Sequence, residues 1–286
     1  FSSLVQIITS TIYVKGFAYI LYKFRNIFKN ADSIYTIPGK IKLNLNLDDY
    51  FENAILWGFY EYSVKIIVNS YVNNGGIFID VGANLGFFSS HAAKSIGPSG
   101  SVYAFEPNPH LADRIAQNIA LNNFSNVQII SKAISDTAGE AKFYVGKQHA
   151  LSSLRDSYLS ELETVIDVEV STLDAEVHAH RISPANISLI KIDVEGHEFN
   201  VFKGMQELLK YKPKIIFENN PLALAENGYS LIDIWEAFLK KHNYQMFYLN
   251  SKKNHTFLSF YQLDRVQLNS ENLSKYKDLP GDILCI

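Results

Sequence analysis

From Gly75 onward the chain alternates short apolar runs with amphipathic ones, and no other feature narrows its fold as far. "GIFIDV" reads as a strand and "FFSSHAAKSI" as the helix after it, stopped by the Gly97-Pro98-Ser99-Gly100 turn. "SVYAFEP" is a second strand. It is followed by the helix "HLADRIAQNIALNN", with apolar residues at Leu111, Ile115 and Ile119. "VQIISKAI", "ISLIKIDV" and "KIIFE" continue the series as third, fourth and fifth strands, with helices predicted at "FNVFKGMQELL" and "LIDIWEAFLKKH". "AKFYV" and "TVIDVEV" predict an extra hairpin, and "YQMFYL" and "DILCI" two last strands that close the sheet as an antiparallel edge. Repeated strand-helix pairs predict an α/β fold, a Rossmann-like parallel sheet with helices on both faces. The chain has 286 residues, 47% of them hydrophobic, which is enough to bury such a core.

Residues 1–72 read differently, as a helical cap or extension carrying one short strand, "KIKLNLNL", with period-two alternation at Ile41, Leu43, Leu45 and Leu47. The chain opens at Phe1 rather than Met, which reads as a trimmed or partial sequence. Phe1 to Val14 is uncharged and largely apolar, but Lys15 interrupts it short of the roughly 20 residues a membrane span needs. A packing helix is expected there, with a membrane-surface or partner-binding helix as the alternative. A net charge of −3 lacks the basic face that nucleic acid demands. The single cysteine, Cys285, rules out an internal disulfide and fits a cytoplasmic protein.

The first strand ends in "IDVGANLGFFS". In open α/β sheets ligands bind beyond the carboxyl ends of the strands, and glycines in this first turn let backbone approach the ligand. Gly82, Asn84 and Gly86 form a G-x-N-x-G turn without the third glycine of a dinucleotide fingerprint. Asp80 adds negative charge where a pyrophosphate would sit. The turn therefore suits a ligand with a cation and no phosphate. Glu106 ends the second strand, 20 residues beyond Gly86, where an acid accepts hydrogen bonds from both ribose hydroxyls. A ribose, an ammonium group and no phosphate describe S-adenosylmethionine (SAM). An NAD-dependent oxidoreductase is the competing reading, opposed by Asp80 and the missing glycine. A non-catalytic SAM-binding module also stays open.

Taken together, "FIDVGANLGFFS", "VYAFEPNP", "KAISDTAGEAKFYV", "LIKIDVEGHE" and "KIIFENNP" resemble the FkbM-type methyltransferases, a branch of the class I SAM-dependent enzymes. The resemblance is good over about Gly58 to Pro221. It implies a methyltransferase domain over 73–286, built on a seven-stranded sheet of order 3-2-1-4-5-7-6 with the seventh strand antiparallel. It also implies methyl transfer, commonly to a hydroxyl of a sugar or natural product. By position, Asp80, Gly82, Asn84 and Gly86 would form the SAM turn, Glu106 would hold the ribose, and Asp136 would lie by the adenine beside the backbone of Ala133 to Ser135. Asp193 would face the methionine part or the reacting methyl, and Glu61, in "GFYE", would border the pocket.

Methyl transfer to an aliphatic hydroxyl needs in-line positioning and gains from a general base. "DVEGHE" supplies the densest titratable group. His197 is the leading base, because its unperturbed pKa lies near 6.5. Glu195 is the second candidate, and a bend at Gly196 would turn both toward the cleft. Glu218 and Ser152 are candidate acceptor contacts. Asp193, Glu195 and Glu218 are carboxylates able to hold Mg²⁺; strand-end acids without a metal are common, and none is expected. The aromatic group Trp57, Phe59, Tyr60 and Tyr62 reads chiefly as core, and His91 as a helix-surface residue. The expected acceptor is a small molecule or a glycan; oligomeric state is left open.

Overall fold

The computed structural model describes residues 33–56, 58, 60–146, 152–154, 162–253 and 261–286. The apolar segment Phe1 to Val14, the aromatics Trp57 and Phe59, and the loop residues Ala150 and Leu151 lie outside the described residues.

The described chain opens with a hairpin of β1 (Ser33–Ile37) and β2 (Ile41–Leu45), then α1 (Tyr50–Leu56) and α2 (Tyr62–Tyr71). Period-two alternation buries Ile41, Leu43 and Leu45 and leaves Lys42 outside. The strand-helix series follows: β3 (Ile77–Val81), α3 (Phe87–Ile96), β4 (Ser101–Phe105), α4 (Pro109–Leu121) and β5 (Val127–Ile130). Asn108 caps α4 by accepting the His110 N–H, with Pro109 in the first turn, where its missing N–H is harmless.

The predicted third strand splits. Its second half, β6 (Ala133–Ile134), leaves the main sheet and pairs with β8 (Leu162–Ser171), which also pairs antiparallel with β7 (Gly139–Gly146). The extra hairpin is thus part of a separate three-stranded sheet. The chain continues through α5 (Leu173–Ala179), β9 (Ile187–Ile192), α6 (Glu198–Lys203), α7 (Gln206–Leu209), β10 (Ile215–Asn219) and α8 (Pro221–Glu226). The single helix expected over "FNVFKGMQELL" breaks at Gly204, where a Cβ would stand 2.0 Å from the Ser135 carbonyl oxygen. A segment from Leu231 to His242 changes winding from α to π to 3₁₀. Last come β11 (Met246–Lys253), β12 (Tyr261–Leu268), the short helix α9 (Leu273–Tyr276) and β13 (Gly281–Cys285).

The main sheet has eight strands in the order β12-β11-β13-β10-β9-β3-β4-β5. Counted as the expected seven, β5-β4-β3-β9-β10-β13-β11 reads 3-2-1-4-5-7-6. The count of seven is corrected by β12, which adds to the outer edge as the antiparallel partner of β11. Strands β4, β3, β9 and β10 are parallel neighbours, and β13 runs antiparallel beside β10.

Side chains alternate between the two faces. Ile79, Val81, Ile190, Ile192 and Phe217 enter one core with Phe202. Phe78, Leu189, Ile216 and Leu284 enter the other, which also takes Ile41, Leu43, Leu45 and Ile67 from the N-terminal segment and Phe88 from α3. The hairpin, α1 and α2 thus share a core with the sheet. Among the described residues no helix is long and apolar enough to cross a membrane.

Phe217 is 1% exposed and meets Phe202 edge-on at 5.1 Å. Phe217→Ala is expected to lower unfolding free energy by about 3–5 kcal/mol, read as a shift in the urea midpoint at constant slope.

Candidate active site

The strand that carries Asp80 decides where that side chain goes. Asp80 lies between Ile79 and Val81, which face the opposite core, so it shares the face of Phe78 and points under α3. It is fully buried, and its Oδ2 accepts the Ser89 hydroxyl at 2.7 Å. The register pairs Asp80 with Lys191 on β9, and the Lys191 Nζ stands 3.6 Å from Asp80 Oδ1. This corrects the expectation of a carboxylate at the mouth of the turn. Asp80 does not line the cleft; it braces the turn from beneath.

Above it, the turn is shaped as its glycines suggest. Gly82 has φ +79 and lies against β9's end so closely that a Cβ would be 1.8 Å from the Asp193 carbonyl oxygen. Asn84 (φ 52) is left-handed, and Gly86 (φ 81) leads into α3. Gly82 and Asn84 line the cleft; Gly86 faces Ile115 of α4 instead.

Glu106 follows the end of β4. It is 4% exposed, lines the cleft, and is fixed by two backbone donors: Asn84 N–H gives to Oε2 at 2.8 Å and Asn108 N–H to Oε1 at 2.9 Å. Burial pushes its carboxyl up to about 7, against the pull of those hydrogen bonds. Each oxygen keeps a second lone pair for a ligand hydroxyl.

Asp136 is corrected. It accepts from Lys203 Nζ at 2.7 Å, a hydrogen bond that holds its carboxyl below the usual range, and it does not line the cleft. The neighbouring Ala133 and Ile134 do line it.

Next to the turn the cleft is acidic. Glu61, Asp193, Glu195 and Glu218 all line the cleft. Glu195 is left-handed (φ 54), and Gly196 (φ 92) follows against the Ala223 backbone, where a Cβ would be 2.7 Å from Ala223 C. Glu198 secures this bend by accepting the Val194 N–H at 3.1 Å and the Gly196 N–H at 3.3 Å. Asp193, Glu195 and Glu218 bring carboxylate oxygens within 4.8 Å of one another, a spacing that shared protons or a hard cation can satisfy. Burial, then Asp193, raises the carboxyls of Glu61 to about 8 and Glu218 to about 10. Glu195 is raised in the same way. Glu61 occupies the N-cap of α2 at φ 36 without using its side chain as a cap.

His197 also lines the cleft, but its Nε2 stands 2.8 Å from the Ser135 hydroxyl, on the side of β6. Ser152 lines the cleft while its hydroxyl accepts the Gly146 N–H at 3.1 Å. His91, expected at the surface, is 8% exposed and packs edge-on to Phe87 at 4.8 Å. Tyr60 lines the cleft and meets Phe87 edge-on.

Lys191 was given no role in the sequence reading. It is 4% exposed and lines the cleft, with Nζ 3.0 Å from Asp193 Oδ2 and 3.3 Å from the Gly82 carbonyl oxygen. Burial pulls its pKa down, but Asp193, Asp80 and Glu61 outweigh that and hold the ammonium charged. Its sequence signal is a lone charge inside the apolar run "ISLIKI". Glu52 and Arg114 were also missed; their bidentate pair, at 2.6 and 2.7 Å, fastens α1 to α4 along the cleft wall.

A family model described as methyltransferase FkbM domain matches residues 80–246, more than half of the chain. The chain belongs to this family. The methyltransferase sdnD of Sordaria araneosa is 28% identical over 156 residues, 45% of this chain and 60% of its own length. The hexuronic acid methyltransferase AglP of Haloferax volcanii is 28% identical over 139 residues, 49% of this chain and 54% of its own. The chain therefore matches little more than half of these relatives' length. Among solved structures, a methyltransferase FkbM of Methylobacillus flagellatus aligns with TM-score 0.41 at 14% identity, over 84% of this chain and 55% of that one.

Gly82→Ala would drive a Cβ into the Asp193 carbonyl at an unfavourable φ. The variant is expected to unfold at a lower temperature than the wild type, read by scanning fluorimetry.

Proposed function

We propose that the chain is a SAM-dependent O-methyltransferase acting on a hydroxyl of a saccharide, glycoconjugate or natural product. The observation that carries this reading is one cleft that joins a glycine turn to two sets of acids. The turn leads to the doubly anchored Glu106 on one side and packs on the other against the strand end that carries Asp193, while Glu61, Glu195 and Glu218 line the same cleft. The residues fit the cofactor. Gly82 leaves no room for a Cβ, Glu106 offers lone pairs to ribose hydroxyls, and Asp193 offers negative charge to an ammonium group. Bound SAM supplies a methyl group on a sulfonium.

This chain's own residues then have separable tasks. Glu106 holds the ribose, and Ala133 and Ile134 flank the base. Asp193 orients the amino-acid end. Glu61 accepts the proton of the acceptor hydroxyl, since its raised carboxyl sits nearest the pH at which a base works. Glu195 and Glu218, whose carboxyls are raised by burial and then by the Asp193 charge, orient the acceptor by hydrogen bonds. The bond between His197 and Ser135 turns that imidazole away from the base role and toward shaping the adenine side. A sugar acceptor is supported by the hexuronic acid named for one relative.

Incubation with methyl-labelled SAM and a panel of glycans and glycoconjugates, read by mass spectrometry, tests the reading. Label on nitrogen, or on no glycan or natural-product hydroxyl, argues against it. Because a raised carboxyl is protonated and idle below its pKa, turnover should rise with pH to a plateau above about 8. Glu61→Gln should lower kcat about 10²–10⁴-fold and flatten that rise. Its affinity for S-adenosylhomocysteine should stay near wild type.

A further inference from the structure

Lys191 is a buried cation in a strand whose other residues are apolar or small, and burial of an ammonium is expensive unless it is fully paired. An ammonium has three N–H donors. Three oxygens surround this one: Asp193 Oδ2 at 3.0 Å, the Gly82 carbonyl at 3.3 Å and Asp80 Oδ1 at 3.6 Å. The ring of Phe88 lies 5.4 Å away. The distances discriminate between roles. If Lys191 served only to neutralise the fully buried Asp80, its shortest contact would be to that acid. It instead lies closer to Asp193, whose side chain is 20% exposed and lines the cleft, and to the first glycine of the turn.

We infer that Lys191 is a positioning residue: it fixes the Asp193 carboxylate and the Gly82 carbonyl relative to each other, and so sets the seat for the amino-acid end of the cofactor. This rests on the SAM reading above. The turn and the strand end already touch, since no Cβ fits between Gly82 and the Asp193 carbonyl. The ammonium adds the one polar link that joins both to the acid beneath. A neutral side chain of similar length fills the space but leaves Asp193 free to turn.

The test compares two ligands by titration calorimetry. S-adenosylhomocysteine carries the amino-acid end; 5′-methylthioadenosine shares the nucleoside and lacks it. Lys191→Met should weaken the first about tenfold or more and leave the second nearly unchanged. Because that variant strands two carboxylates, a second one, Asp80→Asn with Lys191→Met, removes one charge of each sign and keeps the buried net charge. It should show the same selective loss. Equal weakening of both ligands in the double variant, or no weakening of either, overturns the positioning role. A wild-type protein that binds neither nucleoside overturns the SAM reading itself, and the role of Lys191 falls with it.

Discussion

The cross-strand pair of Asp80 and Lys191 is the constraint around which the carboxyl end of the sheet is organised. Two parallel strands each contribute one charged residue to a face that is otherwise apolar. Removing one partner of such a buried pair typically costs about 3–5 kcal/mol, because the other is left uncompensated. The pair therefore fixes register as well as charge. A one-residue slip of β9 would put Lys191 among Ile79 and Phe217 and Ile190 or Ile192 against α3. Further along the same face, Glu218 opposes Asp282, and Asp282 is tied to Ser63 of α2. A polar row thus runs beneath the helices at the strand ends, just where the chain turns into the cleft.

Charge along that row is unbalanced. One ammonium faces Asp80, Asp193 and Glu61, with Glu195, Glu198 and Glu218 close enough to add repulsion. Burial and like charge together keep several of these carboxyls from ionising at neutral pH. Glu106 is also raised by burial, but two backbone N–H groups oppose the rise and fix its direction. The same residue type is thus held by backbone donors in one place and raised by burial and like charge in another.

Much of this was legible in the sequence where the signal was local. Apolar runs gave the parallel strands, the glycine turn gave the bend after β3, and Glu106 could be placed from its offset alone. What failed were side-chain directions set by tertiary partners. Asp80 and Lys191 alternate onto the helix face by period two, which the quoted strands contain but which a motif reading passes over. Asp136 is captured by Lys203, and His197 by Ser135, across 67 and 62 residues of sequence. The departure of β6 is not legible locally because its partners, Val170 and Ser171 of β8, lie far along the chain. β12 went unread because "YQLDRVQL" mixes charge into a weak alternation.

The hairpin and first helices have a consequence of their own. The family-matched stretch begins at Asp80, yet Glu52, Tyr60 and Glu61, which wall the cleft, come before it. One cavity is therefore walled both by the family-matched stretch and by residues that precede it in the chain. The Glu52–Arg114 clasp is what ties those leading residues to the matched stretch, so the shape of the cavity depends on a contact that spans the boundary of the family match.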